Sequence, residues 1–434
     1  MAVKAVILVG GETTGTRFRP LTMDFDKCLF PVAGQPLLSH IITKLKSDLG
    51  NDLDEIFLIS FFKDPVKFET YIKEAKSLFP GVKLSLLTEP TPMGTGGGIF
   101  YFKDKILGLK PDSSILLIHG DVVCDYPFKE LVSFQSENDA DVTILGIDPP
   151  VLLKDRAFHG LDKEQVLRRY GTLFSNKQSH KVVHYVEKPK SDSFAKFVDT
   201  DYLTSINGGV YAFKPTIFDL LEEAKAKKLS SEPFPSYDVD DQEDPYYPNI
   251  LSFELDIFKT LPGKEELTFL NFPYTQSWYQ LTNPVFALAA NAFLLKKDAQ
   301  PSTSTLTSPV KILSDLKLDG SKIGPDVSIG KNVKIGSGVR LRNCIICDGV
   351  EIGDHSVIVN AIISRNVVIG KWCRIEGTLN NPVLEASLEH SSKLLSNMVI
   401  LCKDTTVGNQ VFVYNSVVLP HKELRGDVKY EIVM

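Results

Sequence analysis

The stretch KIGPDVSIGKNVKIGSGVRL, residues 322–341, decides the fold of the C-terminal part of this chain. An isoleucine or leucine returns in it every six residues, and a valine stands four residues after each of the first three. This period fits neither a helix, whose apolar period is near 3.6, nor a plain strand, whose period is about 2. It is typical of hexapeptide repeats, in which each hexad forms one side of a triangular coil and about eighteen residues complete a turn. We therefore predict a left-handed parallel β-helix.

The six-residue ladder continues toward the end of the chain with one long break. Its later members, reached after one-residue slips, are Ile346, Ile352, Ile358, Ile363, Ile369 and Ile375, and then Val407, Val413 and Leu419. Because the ladder resumes after residues 376–399, we interpret this polar, partly helical segment as an insertion into the coil. Glycines at 324, 330 and 336 are expected to supply positive φ or close backbone approach at the corners.

The residues before the coil lack the six-residue repeat and differ in composition. Residues 299–309 are rich in Ser, Thr and Pro and predict a linker. Upstream of them, short apolar strands alternate with helical stretches, which favours a Rossmann-like α/β domain with a mixed, mostly parallel sheet. We predict domains at 1–298 and 321–434, a linker at 299–320, and an acidic surface loop at 230–248. The predicted strands are 6–9, 56–60, 84–87, 115–118, 142–147, 182–187 and 209–213, and the predicted helices are 37–49 and 68–78.

Composition excludes several classes of function. The net charge of −6 over 434 residues gives no basic field for nucleic acid or an anionic membrane surface. Apolar runs are strand-sized, far below the ~20 residues of a membrane helix, and the N-terminus lacks the apolar region of a signal peptide. We therefore expect a cytoplasmic protein. Six scattered cysteines make no disulfide framework, and we interpret the CxxC of Cys344 and Cys347 as coil wall rather than a metal site.

A glycine-rich turn follows the first predicted strand. Residues 10–20 read GGETTGTRFRP, and such a turn presents backbone N–H groups at the carboxyl edge of a sheet, where anions bind. Gly10 and Gly11 allow close approach to a phosphate, and Arg17 can form a bidentate contact with phosphate oxygens. The turn matches neither the GxGxxG nor the Walker pattern, so taken alone it is weak evidence.

Several motifs in fixed order are much more specific. The signature run at 10–34 ends in DKCLFPVAG, and it is followed by PMGTGGG at 92–98, HGD at 119–121, YG at 170–171, EKP at 187–189 and NGG at 207–209. This series resembles the sugar-1-phosphate nucleotidyltransferase family, many members of which also carry a hexapeptide β-helix. Within that family the chain is similar to GDP-mannose pyrophosphorylases (mannose-1-phosphate guanylyltransferases), and to their alpha-type regulatory subunits. The similarity to alpha-type subunits is seen in the insertion in the coil and in the sequence VVLPHKEL at 417–424.

The resemblance implies transfer of a guanylyl group, in which the phosphate of mannose 1-phosphate attacks the α-phosphorus of GTP and pyrophosphate leaves. Such chemistry requires mainly positioning and charge neutralisation. By this resemblance Arg17 and Lys27 would be the catalytic cations, and Asp121 would hold Mg²⁺ in a catalytic member. The residues implied to contact nucleotide or sugar are Gly10, Gly11, Gly94, Thr95, Gly96, Gly97, Gly120, Gly171, Glu187, Lys188, Asn207 and Gly208.

The chain departs from the family pattern where the metal and the triphosphate are expected. The family holds its metal with a second aspartate in W-x-D-[IV]-G, but the corresponding residues here are WYQLT, so Gln280 occupies the aspartate position. The first loop has two extra residues before Gly15, and Asp26 stands beside Lys27 in place of the usual proline. An amide brings no negative charge to a metal, so these changes weaken interactions on which catalysis depends.

Three functions remain open at this point. The first is a regulatory subunit that binds GDP-mannose and controls a catalytic homologue, with homo- and hetero-oligomers formed through the β-helix and the insertion 376–399 contacting the partner. The second is an active mannose-1-phosphate guanylyltransferase that tolerates Gln280 and uses Mg²⁺, GTP and mannose 1-phosphate. The third is a non-enzymatic assembly subunit that resembles those of the translation-initiation exchange factor.

Overall fold

The computed structural model describes residues 2–11, 16–62, 64–110, 112–155, 158, 161–189, 202–230, 250–378 and 398–434. The chain forms two compact units. Unit 1 contains residues 1–14, 41–152 and 162–278, and unit 2 contains residues 15–40, 153–161 and 279–434. The extra residues of the first loop, the acidic loop apart from Ser230, and most of the insertion lie outside the described residues.

The helices and strands of the described residues are numbered in chain order. The helices are α1 (Leu37–Leu49), α2 (Val66–Leu78), α3 (Gly94–Tyr101), α4 (Lys103–Leu107), α5 (Phe128–Glu137), α6 (Pro149–Leu153), α7 (Lys163–Leu167), α8 (Ile217–Ser230) and α9 (Pro284–Lys297). The strands are β1 (Val3–Gly11), β2 (Pro31–Val32), β3 (Gln35–Pro36), β4 (Leu53–Phe61), β5 (Leu84–Thr88), β6 (Ser114–His119), β7 (Val122–Val123), β8 (Val142–Ile147), β9 (Thr172–Asn176), β10 (Val182–Val186), β11 (Tyr202–Phe213), β12 (Phe269–Tyr274), β13 (Tyr279–Gln280), β14 (Val310–Ile312), β15 (Lys322–Ile323), β16 (Val327–Ile329), β17 (Lys334–Ile335), β18 (Arg340–Ile346), β19 (Glu351–Ile352), β20 (Val357–Ile363), β21 (Val368–Ile369), β22 (Arg374–Glu376), β23 (Val399–Leu401), β24 (Thr406–Val407), β25 (Phe412–Tyr414), β26 (Val417–Val418), β27 (Glu423–Leu424), β28 (Val428–Lys429) and β29 (Ile432–Val433).

Unit 1 is built on a nine-stranded mixed sheet. Its main path runs β10-β9-β11-β6-β1-β4-β5, and β8 joins β11 to β12. The pairs of β1 with β4 and β6, of β4 with β5, and of β8 with β12 are parallel, whereas β11 runs antiparallel to its neighbours. Every residue of β8 is buried, as expected of a strand covered on both faces. The predicted α/β fold is therefore confirmed.

The two glycines that end β1 pack closely against the neighbouring strand β4. Gly10 has a φ of +82°. A Cβ on Gly11 would lie 2.3 Å from the carbonyl oxygen of Phe61 at the end of β4. Any side chain at Gly11 would therefore push the two strand ends apart, so glycine is required for close packing at the carboxyl edge.

Unit 2 contains parallel strands stacked as in a β-helix. Val327 pairs with Cys344, and Cys344 pairs in turn with Ala361, so that each turn advances by 17 residues. The expected value of about eighteen is kept where Lys322 pairs with Arg340. The one-residue slips in the sequence ladder therefore correspond to a turn one residue shorter than three full hexads. Cys344 and Cys347 are both buried in this coil, as expected of wall residues.

Of the three glycines that the hexad pattern marks, Gly324 has a positive φ of +103°, and most other positive-φ corners lie at unmarked positions. Asn332, Gly349, Asn366 and Asp404 form one column of such corners, with φ between +56° and +72°. Asparagine and aspartate tolerate this conformation because their short polar side chains form local hydrogen bonds. Gly330 is required instead for close approach, since a Cβ there would lie 2.3 Å from Asp348 Oδ1.

The break in the ladder is an insertion between two strands that pair with the same neighbour. β22 pairs with the first half of β20, and β23 pairs with its second half. Ala361 pairs with Val399, 38 positions further on, whereas Cys344 precedes its partner Ala361 by 17. The coil therefore continues in register across the inserted residues.

One outer face of the coil is covered within unit 2. Ser328, Ile345, Ile362 and Ile400 are each at most 2% exposed, and α9 packs against β16, β18 and β20. Strand β14 lies inside the segment 299–320 and pairs with β16, so the stacked strands begin earlier than the hexad ladder. The predicted domain limits stay a prediction.

Candidate functional site

Helix α3 carries the glycine motif that the sequence singled out as base-binding. It begins at Gly94, whose φ is +75°. The N–H groups of Gly96 and Gly97 donate to the carbonyl oxygen of Leu251 at 2.8 and 3.3 Å. A Cβ on Gly94 would lie 2.5 Å from that same oxygen. The glycines thus let the chain near Leu251 cap the start of the helix, and a contact between this turn and a nucleotide base stays a prediction.

Thr95 joins α3 to the π-helical turn Phe253–Phe258. Its hydroxyl donates to Glu254 Oε2 at 2.8 Å and accepts from the N–H of Phe253 at 2.9 Å. Ser252 Oγ donates to the same carboxylate oxygen at 2.8 Å. These contacts place Glu254 beside the glycine motif and use most of the hydrogen-bonding capacity of the predicted site residue Thr95.

Glu187, predicted to contact sugar, lies just after β10 and is half-buried. Tyr185 donates a hydrogen bond from its hydroxyl to Glu187 Oε2 at 2.8 Å. Burial raises the pKa of the Glu187 carboxyl, and the neighbouring Lys188, with Nζ 3.4 Å from Oε1, opposes that effect. A Cβ on Gly171 would lie 2.0 Å from the Tyr185 hydroxyl oxygen, so glycine is needed there for the tyrosine to reach Glu187.

Asn207 lies at an irregularity in the register of β11 against β8. Its Nδ2 donates to the Tyr185 hydroxyl at 3.2 Å, and its Oδ1 accepts from the Tyr211 hydroxyl at 2.9 Å. Oδ1 also accepts from the N–H of Gly209, and the backbone N–H of Asn207 donates to the carbonyl of Gly171. The adjacent Gly208 is packed tightly, and its carbonyl accepts from Trp278 Nε1 at 2.9 Å.

We call Tyr185, Glu187, Asn207, Tyr211 and Glu254 the carboxylate–tyrosine cluster. Burial raises the pKa values of both tyrosines, and the charges of Glu187 and Glu254 add to that effect. Two carboxylates and two neutral hydroxyls therefore lie together beside the glycine helix. Because both tyrosine hydroxyl protons are donated within the cluster, it offers mainly carboxylate acceptors to a ligand rich in hydroxyl groups.

His119 of the HGD motif lies beside this cluster. His119 has its Nε2 3.8 Å from Glu254 Oε1, and its ring lies edge-on to Tyr211 at 5.6 Å. The Nε2 atom is buried without a hydrogen-bond partner. The N–H of Gly120, predicted to contact the nucleotide, donates to the carbonyl of Leu8 and thereby joins the turn to the sheet.

A second buried acid, Glu89, lies at the end of β5 and was not identified from the sequence. It is 9% exposed, and burial raises its pKa to about 7 although it accepts a hydrogen bond from the N–H of Met93. A Cβ on Gly98 of α3 would lie 1.9 Å from Glu89 Oε1. The last glycine of the PMGTGGG motif thus makes room for this carboxyl group.

The predicted cations and metal ligands are divided between the two units. Arg17 and Lys27 lie in the short helical turns Thr16–Phe18 and Lys27–Leu29 of unit 2. Gln280 lies in β13 of unit 2, whereas Asp121 belongs to unit 1. One carboxylate and one amide oxygen bring a single negative charge to Mg²⁺, an ion held through one or two carboxylates together with waters and substrate phosphates. Among the described residues, no three His, Cys, Asp or Glu side chains are grouped so that they could hold a metal ion. Asp121 alone would supply negative charge to a Mg²⁺ ion, so these residues would hold the ion less well than two aspartates.

Sequence reasoning missed Glu254, Tyr185, Tyr211 and Glu89. No motif marks Glu254, since FELDIF reads as an ordinary amphipathic stretch. Tyr185 had a detectable signal, because it precedes the EKP motif by two residues and side chains two apart share one face of a strand.

Within the described ranges, no helix is both long and apolar enough to cross a lipid bilayer.

Comparison with known proteins agrees with this architecture. Residues 4–247 match a family model described as nucleotidyl transferase, and residues 308–433 match one described as GMPPB C-terminal domain. A protein of Schizosaccharomyces pombe named probable mannose-1-phosphate guanyltransferase is 32% identical, with 100% of both chains covered. A Danio rerio protein named mannose-1-phosphate guanylyltransferase regulatory subunit alpha-A is also 32% identical, again with 100% of both chains covered.

A third named relative and one solved structure also align with this chain. The regulatory subunit alpha of Dictyostelium discoideum is 32% identical, with 99% of this chain and 98% of the relative covered. Among solved structures, HddC from Yersinia pseudotuberculosis aligns with 67% of this chain and 99% of its own, at 22% identity and a TM-score of 0.44. The family models and the full-length relatives show that this chain belongs to the nucleotidyl transferase family, in its mannose-1-phosphate guanylyltransferase branch.

Proposed function

We propose that this chain is an alpha-type subunit that binds GDP-mannose and regulates a catalytic homologue, with weak or no guanylyltransferase activity of its own. The observation that carries the proposal is the carboxylate–tyrosine cluster, in a chain that has Gln280 at the position implied to hold a metal-binding aspartate. The names of the Danio rerio and Dictyostelium discoideum relatives, both regulatory subunits, support it.

The carboxylate–tyrosine cluster is suited to a sugar. A pyranose presents hydroxyl groups that can donate hydrogen bonds, and the half-buried carboxylate of Glu187 can accept them. Its Oε1 atom lies 3.4 Å from the Lys188 Nζ, which favours the charged form of the carboxylate. Asn207 and the two tyrosines hold that carboxylate in one orientation through a chain of hydrogen bonds. A hydrogen bond to a charged group contributes roughly 1.5–3 kcal/mol, so one or two sugar contacts suffice for selective binding.

Turnover requires charge neutralisation at the transferring phosphate, and this chain has lost part of it. Family members typically use a divalent metal ion, but Gln280 brings no charge to hold one. Asp26, directly before Lys27, adds a negative charge next to a predicted phosphate-binding cation. Interactions that strengthen in the transition state are weakened, whereas those that hold the sugar are kept.

The second candidate function is that of an active mannose-1-phosphate guanylyltransferase. The name of the Schizosaccharomyces pombe relative favours it. We propose assaying the purified chain with Mg²⁺, GTP and mannose 1-phosphate, alone and with a catalytic homologue, and titrating it with GDP-mannose by calorimetry. GDP-mannose binding with negligible turnover supports the regulatory subunit. Robust turnover without a partner supports the enzyme, and absence of GDP-mannose binding refutes the proposed function.

The partner contact is a separate part of the proposal. We assign it to the insertion 376–399, whose central residues lie outside the described part of the chain. The register of β22 and β23 on β20 supports this assignment, because the insertion leaves the ladder without disturbing its pairing. Assembly itself is assigned to the exposed walls of the coil.

A further inference from the structure

The segment that carries both predicted phosphate-binding cations packs with the β-helix, inside unit 2. Asn291 of α9 is fully buried and joins the two parts. Its Oδ1 accepts from the N–H of Ala33 at 2.8 Å, and its Nδ2 donates to the carbonyl of Asp326 in the coil at 3.4 Å. The frame that supports residues 16–40 is therefore the coil and α9.

A second set of contacts lies closer to the cations. Ser364, at a corner of the coil, donates from its hydroxyl to Asp24 Oδ2 at 3.0 Å. Arg365 has a guanidinium nitrogen 3.8 Å from Asp24 Oδ1, and its guanidinium carbon lies 3.9 Å above the centre of the Phe25 ring. The Asp24 side chain is only 8% exposed, whereas that of Arg365 is 42% exposed, so solvent screens this ion pair in part.

Aromatic contacts lead from this corner to both cations. The ring of Phe25 packs edge-on against Phe30 at 5.3 Å, and Phe30 packs edge-on against Phe18 at the same distance. Lys27 lies between Phe25 and Phe30 in a turn closed by the Phe30 N–H on the Lys27 carbonyl. Arg17 directly precedes Phe18. All three rings are at most 3% exposed, so a shift of one displaces the others.

We infer that Asp24, Phe25, Ser364 and Arg365 form a latch by which the β-helix positions Lys27 and Arg17 for the phosphates of a nucleotide-sugar. The four are positioning residues, since they act through the aromatic contacts and not on the ligand. The inference rests on the proposed binding of GDP-mannose and deepens it, because it makes phosphate affinity depend on the conformation of one coil corner. A partner that moves this corner would alter the affinity for GDP-mannose without touching the nucleotide.

The latch is tested by breaking it and comparing ligands with and without phosphate. Arg365→Ala and Asp24→Asn are expected to weaken GDP-mannose and GDP binding by about tenfold, the loss expected when one charge-assisted phosphate contact is misplaced. Guanosine affinity is expected to stay unchanged, and Arg365→Lys should recover part of the loss because it keeps a cation beside Asp24. The matched control is Arg374→Ala, since Arg374 also lies over a phenylalanine, Phe412, and pairs with a carboxylate.

Amide hydrogen exchange of residues 16–30 gives a second readout that needs no ligand. Faster exchange there in Arg365→Ala, with the rest of the coil unchanged, supports the latch. Equal loss of guanosine and GDP-mannose affinity, or unchanged binding and exchange in both latch variants, overturns it. If the wild-type chain does not bind GDP-mannose, the proposed function fails, and hydrogen exchange still decides whether the latch exists.

Discussion

Glu89 is expected to make the stability of this protein fall as the pH rises from about 4.5 to 7. Its pKa in the native state is about 7, against a usual value of 4.5. Below pH 4.5 both native and unfolded states hold the proton, so the contribution of Glu89 to stability is fully present. Between the two values the unfolded chain ionises while the buried carboxyl resists, and stability is lost. Glu89→Gln removes this titration and keeps an oxygen that can accept from Met93.

The size of the effect follows from the shift. A rise of the Glu89 pKa from 4.5 to about 7 corresponds to roughly 3 kcal/mol, an upper figure because the buried site relaxes when it ionises. The free energy of unfolding of Glu89→Gln minus that of the wild type should therefore rise by about 1–3 kcal/mol between pH 5 and pH 8. Thermal melts across this range measure it, with the exposed Glu137→Gln as control. A difference that does not change with pH would show that Glu89 keeps an ordinary pKa and refute the reasoning.

Three further predictions concern binding and regulation. Glu187→Ala should weaken GDP-mannose binding by ~1–3 kcal/mol if the carboxylate receives sugar hydroxyls, and unchanged calorimetric affinity would remove Glu187 from the site. Gln280→Asp should strengthen Mg²⁺ binding and raise any trace turnover, because it restores a charge at the second ligand position; a robust wild-type rate that the change does not improve would contradict the weak-enzyme proposal. Deleting residues 378–398 should leave the chain folded and associated with its catalytic homologue while GDP-mannose loses its influence on that homologue's rate, and full inhibition by the shortened chain would place the regulatory signal elsewhere.

The coil could be predicted from sequence because its side-chain period is visible in the chain itself. Buried positions such as Ile323, Ile329 and Ile352 follow from the hexad ladder alone. The length of one turn of the coil followed less directly, because the hexad period predicts about eighteen residues and most observed turns have 17. The positive φ at corners such as Asn332 and Asn366 was not predicted either, because the hexad pattern marks glycines at 324, 330 and 336 instead. Helix 37–49 and strand 142–147 were predicted with their observed bounds, since each is a well-marked apolar pattern.

The site was predictable only in part, because its contacts join distant positions. Glu187, Asn207 and Gly171 stand in recognisable motifs, and the structure brings them together around Tyr185. Glu254 meets Thr95 across 159 residues of sequence, and nothing local to FELDIF indicates that contact. The carbonyl of Leu251 likewise caps α3 from far along the chain. Such tertiary hydrogen bonds are set by the path of the whole chain and have no signature of their own.

The register of β22 and β23 on β20 has a consequence for how this protein can change. Both β22 and β23 pair with β20, and the regular pairing continues after β23. The coil therefore does not fix how many residues connect β22 to β23. Segments of other lengths and compositions can be exchanged at this corner at little cost to folding, because the closure entropy of a loop grows only slowly with its length. The coil thus tolerates variation at this corner, so that the proposed partner contact can diversify separately from the residues proposed to bind the sugar.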